Sequence, residues 1–390
     1  MGDALAEKIS NGIMNKQGRN ELSIKHINVV NLYSPCYIHL DELEYIDANE
    51  NDLKRCNVEV GDIFLTRSSL KIEGIAQANI LLEDGILVFD DHIMRLKLAD
   101  GFDPFCIKES LNHSPIKREF MTKAKTGTMT TIGQDDIASS TLSFPTKLEQ
   151  TAIGSFFRTF DNAIALHQRK LDSLRELKRG YLQQMFPQAG ERVPRIRFAG
   201  FSGDWQERSL GEVADIVRGA SPRPIQDPKW FDEASDVGWL RISDVTEQDG
   251  RIYYLEQKIS EAGQSKTRVL ITPHIMLSIA ATVGKPVINY VKTGVHDGFL
   301  IFLNPKFEQE FMFQWLEMFR SQWHKYGQPG SQVNLNSDLV KAQEILMPIK
   351  EEQTSIGNFF HTLDEQITAQ ATKFEQLKQL KTAYLQKMFI

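Results

Sequence analysis

Several features that mark common functional classes are scarce or missing in this sequence. Its three cysteines, Cys36, Cys56 and Cys106, are far apart and odd in number, so the sequence predicts neither a disulfide framework nor a zinc site. No run of 18 apolar residues occurs, and the N-terminus lacks the charged-then-apolar pattern of a secretory signal. These absences predict a cytoplasmic protein that binds no metal.

Positive charge is not in excess either. The 390 residues include 45 Lys and Arg against 51 Asp and Glu, a net charge of −6, whereas nucleic-acid-binding domains usually present a basic surface. The motifs GxxxxGK[ST], GxSxG and HExxH are absent as well. The sequence therefore predicts a protein that is not an enzyme and whose overall charge does not attract nucleic acid.

What the sequence does contain is a long internal repeat. Residues 149–186 and 352–389 align without a gap at an offset of 203, and 19 of the 38 positions are identical. Farther upstream the similarity weakens, although Ile9-Ser-Asn-Gly12 still resembles Ile216-Val-Arg-Gly219. A repeat with so long a period predicts a duplicated unit. In each copy, a variable block precedes a segment that is closely similar in the two copies, and this segment is called the kept segment.

Both kept segments have the periodicity of a long helix with a coiled-coil seam. About 38 helical residues span roughly 57 Å, and a helix of that length needs a partner for its apolar stripe, most simply its own duplicate. Lys178 and Lys381 are polar positions in the seam, and polar seam residues lower stability but fix the register of the two helices. Replacing both lysines by leucine is therefore expected to stabilise the seam and to weaken its preference for one register. The apolar seam residues are Ile153, Phe157, Phe160, Ile164, Leu171, Leu174, Tyr181, Met185, Ile356, Phe360, Leu363, Ile367, Phe374, Leu377, Tyr384 and Met388.

The variable blocks contain short β-rich runs broken by turns, and each has one helical stretch late on, near Pro104–Thr122 and Lys306–Tyr326. Each block is therefore predicted to be a compact α+β domain. A stretch rich in proline, glycine and arginine connects the two halves. The predicted order is a domain at 1–146, a helix at 147–187, a connector at 188–204, a domain at 205–349 and a helix at 350–390.

Basic side chains cluster beside Ser and Thr in the turn-rich stretches of both blocks. This composition suits phosphate contacts, while solvated loop charge is the alternative for any single cluster. The candidates are Arg67, Lys71, Lys123 and Lys125 in the first block and Arg218, Arg223, Lys266, Arg268 and Lys285 in the second.

Motifs at both ends of the kept segments resemble those of a known family. They are the openings Glu149-Gln-Thr-Ala-Ile153 and Glu352-Gln-Thr-Ser-Ile356, the preceding Pro145 and Pro348, the closings Tyr181–Phe186 and Tyr384–Phe389, and the turn Gly330–Leu335. In this pattern, and over nearly its whole length, the sequence resembles the specificity subunit of type I restriction–modification enzymes.

The resemblance implies two target-recognition domains joined by an antiparallel coiled coil, with internal pseudo-two-fold symmetry. Each domain would read one half of a split, asymmetric DNA sequence, and the helices would set the gap. The basic candidates named above are the predicted DNA-contacting residues, and they are chosen from local charge rather than from the family pattern. The subunit would recruit two methyltransferase subunits and the restriction subunits. S-adenosylmethionine, ATP and Mg²⁺ would bind to those partners, and this chain would bind no cofactor.

Another function is compatible with the same pattern. A coiled-coil scaffold could hold two protein-binding domains, and only DNA binding that weakens steeply with salt separates it from the favoured interpretation. Because the net charge is −6, the chain is expected to bind DNA weakly alone and strongly within a complex whose partners supply most phosphate contacts.

Overall fold

The computed structural model of the chain describes residues 1–14, 23–34, 36–279, 282–326 and 335–389. Its contacts divide it into two compact units, the first formed by Met1–Leu171 with Ala369–Ile390 and the second by Asp172–Thr368. Residues 330–334, which belong to the turn in the family pattern, lie outside the described residues. No helix within the described ranges has the length and apolar character that a bilayer span needs.

The sheets of the first unit are built from short apolar runs. Two of its strands, Ile63–Thr66 and Ile93–Leu96, are buried at every position, which is typical of strands covered on both faces. The strands are β1 (Ser10–Asn11), β2 (Ser23–Ile27), β3 (Glu44–Asp47), β4 (Ile63–Thr66), β5 (Ser68–Ser69), β6 (Ala78–Ile80), β7 (Leu87–Phe89), β8 (Ile93–Leu96) and β9 (Thr130–Thr131). They form an antiparallel sheet of order β1-β8-β4-β6, a three-stranded sheet β3-β2-β7 and a pair β5-β9.

The helices of the first unit are α1 (Glu50–Cys56), α2 (Pro104–Asn112), α3 (Ser114–Lys123), α4 (Gln134–Ala138) and the beginning of α5 (Lys147–Met185). The helical stretch predicted near Pro104–Thr122 is thus two helices, which separate at His113. Pro115 lies in the first turn of α3, where its missing N–H costs no hydrogen bond. A break at this point is therefore favourable.

The second unit has the same general composition. Its strands are β10 (Gln206–Ser209), β11 (Asp215–Arg218), β12 (Gly238–Trp239), β13 (Arg251–Ile252), β14 (Arg268–Leu270), β15 (Ile275–Ser278), β16 (Pro286–Asn289), β17 (Thr293–Val295), β18 (Phe299–Leu303) and β19 (Glu344–Met347). They form the sheets β11-β18-β15-β16-β13, β12-β17-β14 and β10-β19. The helices are α6 (Leu210–Val213), α7 (Ile242–Glu247), α8 (Glu261–Gln264), α9 (Gln309–Phe319), α10 (Ser337–Lys341) and α11 (Lys350–Met388).

The central sheets of the two units share a strand order. Strands β1-β8-β4-β6 of the first unit correspond to β11-β18-β15-β16 of the second, and neighbours are antiparallel in both. Gly12 and Gly219 directly follow β1 and β11. A Cβ atom at either glycine would lie about 2 Å from a backbone carbonyl oxygen, of Phe89 (2.0 Å) or His296 (2.1 Å). The weak similarity between residues 9–12 and 216–219 therefore marks equivalent positions of a duplicated fold.

The two long helices pair in an antiparallel direction within each unit. In the first unit, Phe157 near the start of α5 stacks on Phe389 at the end of α11, with ring centroids 5.9 Å apart. In the second unit, Tyr181 near the end of α5 meets Phe359 near the start of α11 at 5.0 Å. The prediction of an antiparallel helix pair between two mixed α/β domains is confirmed.

The seam residues named from the heptad pattern differ in burial. Fully packed positions are found in the first half of each helix and toward the end of α5, while the end of α11 is more open: Tyr384 and Met388 are each 37% exposed. The buried members are Ile153, Phe157, Ile164, Leu171, Met185, Ile356, Phe360 and Leu363, and the half-buried members are Phe160, Leu174, Tyr181, Ile367, Phe374 and Leu377.

Candidate nucleic-acid interface and helix seam

The opening motif of each long helix attaches that helix to a globular domain. The Gln150 side-chain amide donates to the Pro145 carbonyl oxygen at 2.9 Å, and its Oε1 accepts from the Asp103 backbone N–H at 3.0 Å. Asp103 is the N-cap residue of α2. One buried glutamine therefore ties the start of α5 to the start of α2.

The same construction recurs in the second unit. The Gln353 amide donates to the Pro348 carbonyl oxygen at 2.8 Å, and its Oε1 accepts from the backbone N–H of Glu308, the N-cap residue of α9, at 2.9 Å. A Cβ at Gly154 or Gly357 would lie 2.2 or 2.5 Å from the carboxylate of the corresponding N-cap residue. The repeated opening E-Q-T-x-I-G is thus a docking motif between helix and domain, which is why it is kept while the loops differ.

A buried group of four charged residues, the first cluster, joins three helices of the first unit. Lys381 Nζ of α11 lies 2.5 Å from Asp161 Oδ1 of α5 and 2.9 Å from Glu109 Oε1 of α2. Lys108 Nζ lies 2.8 Å from Asp161 Oδ2 and 2.7 Å from Glu109 Oε1. Two cations and two carboxylates thus neutralise one another, and both long helices are fixed to the globular domain.

The second cluster is its counterpart in the second unit. Lys178 Nζ of α5 lies 2.5 Å from Asp364 Oδ1 of α11, whose Oδ2 accepts from Arg251 Nη2 at 3.0 Å. The other terminal nitrogen of Arg251 lies 2.6 Å from Glu310 Oε1. Lys178 and Asp364 are the duplicates of Lys381 and Asp161, so in each unit the lysine of one helix pairs with the aspartate of the other.

These contacts correct the expectation for the double leucine substitution. Leucine at Lys381 would leave Asp161 and Glu109, both almost fully buried, sharing the single cation of Lys108. Removing one partner of a buried ion pair is strongly destabilising, so the lysines stabilise the seam as well as setting its register. His167 of α5 and Gln370 of α11 are also duplicates of each other, and they are in contact, because Gln370 Nε2 donates to the His167 carbonyl oxygen at 3.0 Å.

The charged clusters make the stability of the fold depend on pH. At Asp161, burial outweighs the charges of Lys108 and Lys381 and raises the pKa of the carboxyl, so the loss of stability in acid is expected from Glu109 and Asp364. Burial acts to raise the pKa of Glu109, but Lys108 and Lys381 outweigh it and lower the pKa to about 2. Burial likewise opposes the charge of Asp364, yet Lys178, Gln314 and Arg251 hold the pKa of that carboxyl below its usual value. A carboxyl whose pKa is lower in the folded state stabilises the fold above its unfolded pKa and ceases to do so as the pH falls through its folded pKa.

We therefore expect thermal unfolding midpoints to be level near neutral pH and to fall as the pH drops from about 4.5 toward 2. Circular dichroism at 222 nm over a pH series measures this. The Asp364→Asn variant, which cannot ionise at this position, should start from a lower midpoint and show a shallower fall. Equal acid sensitivity in the two proteins would contradict the assigned role of this carboxylate.

Three of the four basic candidates of the first unit come together beside the strand pair β5-β9. Arg67 immediately precedes β5, Lys71 follows it, and the Lys125 backbone N–H donates to the Thr131 carbonyl oxygen at 2.8 Å. The Lys71 and Lys125 side chains are exposed, whereas Arg67 Nη1 donates to the Asp91 carbonyl oxygen at 3.2 Å. Two stretches that are far apart in sequence thus place basic residues beside one pair of strands.

Four basic candidates of the second unit surround the turn after β17. Arg218 Nε donates to the Asp297 carbonyl oxygen at 2.6 Å, and Arg268 Nε donates to the Arg218 carbonyl oxygen at 2.8 Å. Arg223 Nη2 donates to Asp297 Oδ2 at 2.7 Å, and Lys266 is exposed two residues before Arg268. The structure therefore brings these side chains to one edge of the unit.

Asp297 is a residue of this edge that the search for basic clusters missed. Burial acts to raise the pKa of its carboxyl, but the hydrogen bond from Ser221 and the charges of Arg223 and Arg218 outweigh burial, and the pKa lies below its usual value. The carboxylate is ionised near neutral pH and lines a pocket of about 290 Å³ that also includes Trp239. No sequence signal pairs this acid with the arginines, since nearly 80 residues separate Asp297 from Arg218.

The remaining two candidates are engaged inside their own units. Lys123 Nζ lies 2.7 Å from Glu119 Oε1 and 3.1 Å from Ser140 Oγ. The Lys285 side chain is largely buried, and its Nζ lies 2.6 Å from Asp249 Oδ1 and 3.0 Å from a Glu317 oxygen. These contacts give both lysines a structural role, and a role in DNA contact stays a prediction for them.

One group of described residues has the composition of a metal site. Asp90, Asp91 and His92 each offer a ligand atom within 4.8 Å of the others. The Asp90 carboxylate already accepts the His92 backbone N–H at 2.8 Å, and the Ser68 hydroxyl is bonded to His92 Nδ1. The Asp90 carboxylate and His92 Nδ1 thus already have protein partners, and the expectation that the chain binds no metal stays a prediction.

The fold and these surfaces define a class of protein: duplicated α/β domains docked on long paired helices, with an arginine- and lysine-lined edge on each domain. Residues 202–379 match the family model described as Type I restriction modification DNA specificity domain. Over 97% of its length the chain is 22% identical to the putative type I restriction enzyme MjaX specificity subunit of Methanocaldococcus jannaschii, and the match covers 89% of that protein.

Solved structures agree on the fold. The type I restriction–modification S subunit from M. genitalium matches with a TM-score of 0.64 at 14% identity, over 98% of this chain and 93% of that one. A chain from a study of complex assembly and conformational transition of the type I R-M system matches with a TM-score of 0.54 at 14% identity, over 100% and 96%. Residues 202–379 thus match a type I restriction modification DNA specificity domain, and over nearly its whole length the chain is similar to a type I restriction enzyme specificity subunit.

Proposed function

We propose that the two units read the two halves of a split, asymmetric DNA target. The observation that carries this proposal is that equivalent positions of one duplicated scaffold hold different side chains. Asn11 stands in the first unit where Arg218 stands in the second, each directly before the glycine that closes its strand. Because base reading depends on side-chain type, such positions suit two different half-sites.

The long helices would set the separation of the half-sites. Both α5 and α11 are 39 residues long, which corresponds to about 58 Å of helix, and both contribute residues to the two units. The docking motifs and ion-pair clusters hold the helices to the domains. A fixed distance between half-sites then follows from protein geometry, as it does in dimeric DNA-binding proteins.

The chain would act as part of a larger enzyme in the cytoplasm. Two methyltransferase subunits would bind S-adenosylmethionine, and restriction subunits would bind ATP and Mg²⁺, while this chain would bind none of these cofactors. The net charge of −6 supports this division, because partners that close around the duplex would supply most of the phosphate contacts.

Salt dependence tests the proposal. The subunit in complex with its methyltransferase partners is expected to prefer certain duplexes, with log K falling linearly as log salt rises. Lys266→Ala should weaken binding to all sequences and reduce the salt slope by about 1, because Lys266 is exposed and its ammonium group suits a phosphate. Fluorescence anisotropy at several salt concentrations measures both quantities.

Arg195→Ala is the matched control. Arg195 is 64% exposed and paired with Glu191 on the connector rather than among the basic candidates of the edge that includes Lys266, and its loss should leave the slope unchanged. Binding by the complex that ignores both salt and sequence would overturn the proposal and favour the scaffold alternative.

A further inference from the structure

Two arginines of the second unit are held in an unusual way. Arg218 and Arg268 each use Nε, the inner nitrogen of the guanidinium, to donate to a backbone carbonyl oxygen, at 2.6 and 2.8 Å. Both side chains are exposed. Within the described part of the chain, the terminal nitrogens of these two residues make no hydrogen bond or ion pair. The protein therefore orients each planar guanidinium group, and the two terminal nitrogens of that group stay available to a ligand.

The other edge arginines are held differently. Arg223 donates to Asp297 through the terminal nitrogen Nη2, and Arg67 of the first unit donates to a carbonyl oxygen through Nη1. In both Arg223 and Arg67, the contact occupies one of the two terminal nitrogens of the guanidinium. Anchoring through Nε is thus specific to Arg218 and Arg268 among these four, and it preserves the paired donors that recognise two adjacent acceptors at once.

Two kinds of acceptor on DNA fit such a pair, the O6 and N7 atoms of guanine in the major groove and the oxygens of a phosphate. The Asp297 carboxylate distinguishes between them. It is 36% exposed, it lies in the residue whose carbonyl oxygen orients Arg218, and its negative charge repels a phosphate. The guanine edge has no formal charge, so it meets the oriented arginines without that repulsion.

We infer that Arg218 and Arg268 are specificity-determining residues that each read a guanine of the second unit's half-site through their terminal nitrogens. This inference rests on the proposed function. It predicts that the half-site includes at least one G·C pair, and that the first unit reads a different sequence, because Asn11 replaces Arg218 there.

Arginine-to-lysine substitutions test the inference, since lysine keeps the charge but loses the planar fork. Each of Arg218→Lys and Arg268→Lys is introduced into the subunit, co-expressed with its methyltransferase partners in a host without that methylation, and the methylated motif is mapped. We expect one position of one half-site to lose its preference for guanine, with a roughly 5- to 150-fold loss of discrimination. The other half-site and the salt slope should not change.

Arg223→Lys is the matched control on the same edge and should keep the full motif, because the Arg223 guanidinium is already paired with the Asp297 carboxylate and a lysine can keep that ion pair. The thermal unfolding midpoint of each variant identifies any variant that folds poorly. If Arg218→Lys is unstable, Arg268→Lys still tests the inference. A motif without a G·C pair in either half-site, or full discrimination in both lysine variants, overturns the guanine assignment. Methylation of no defined motif by the unsubstituted complex instead overturns the proposed function.

Discussion

Replacing Lys381 by leucine should destabilise the first unit by about 3–5 kcal/mol. Lys381 is one of two cations in the first cluster, and its loss leaves the buried carboxylates of Asp161 and Glu109 with only Lys108. The added apolar contact of leucine does not offset an uncompensated buried charge. Urea unfolding followed by circular dichroism measures the change.

Lys373→Leu provides the control for this experiment. Lys373 is an exposed lysine on α11 in the same unit, so its replacement should alter the free energy of unfolding by no more than about 0.5 kcal/mol. If the Lys381 and Lys373 variants were equally stable, the first cluster would not contribute to the fold in the way its distances indicate.

Inserting one heptad into each long helix should lengthen the gap in the DNA target by about 3 base pairs. Seven residues add about 10 Å of helix, and base pairs are spaced at about 3.4 Å. The insertions belong between Asp161 and Lys178 in α5 and between Asp364 and Lys381 in α11, because both ion-pair clusters can then form. Mapping the methylated motif of the altered complex gives the new gap.

A heptad inserted into α5 alone is the informative control. With unequal helices, the pairs Lys381–Asp161 and Lys178–Asp364 cannot both keep their register, so this variant should lose stability and methylation together. A doubly extended protein that still methylates the original motif with its original gap would refute the role of the helices as a ruler.

Much of the architecture was predictable because it depends on local pattern and duplication. The offset of 203 identified equivalent residues, and the heptad periodicity identified two long helices. The docking role of Gln150 and Gln353 was not visible, because it depends on N-cap residues about 45 positions upstream. The partners of Lys178 and Lys381 were missed for the same reason, which is why substitution by leucine had the wrong expected sign.

The candidate site divides in a similar way. Sequence composition found the basic residues, yet it could not separate exposed arginines from Lys123 and Lys285, whose charges are neutralised within their units. Nor could it find Asp297, since an acid in a loop carries no signal until its neighbours are known. The sequence also left open which nitrogen of each arginine is occupied.

By itself, the sequence determined that this protein is a duplicated pair of α/β domains with two long helices, because a repeat is found by comparing the chain with itself and apolar periodicity is a property of residues close together along the chain. Only the tertiary structure decided which charges are buried and paired and which remain available to DNA. That difference arises because the electrostatic role of a side chain is set by its partners and its access to water, and those are supplied by residues distant in the sequence.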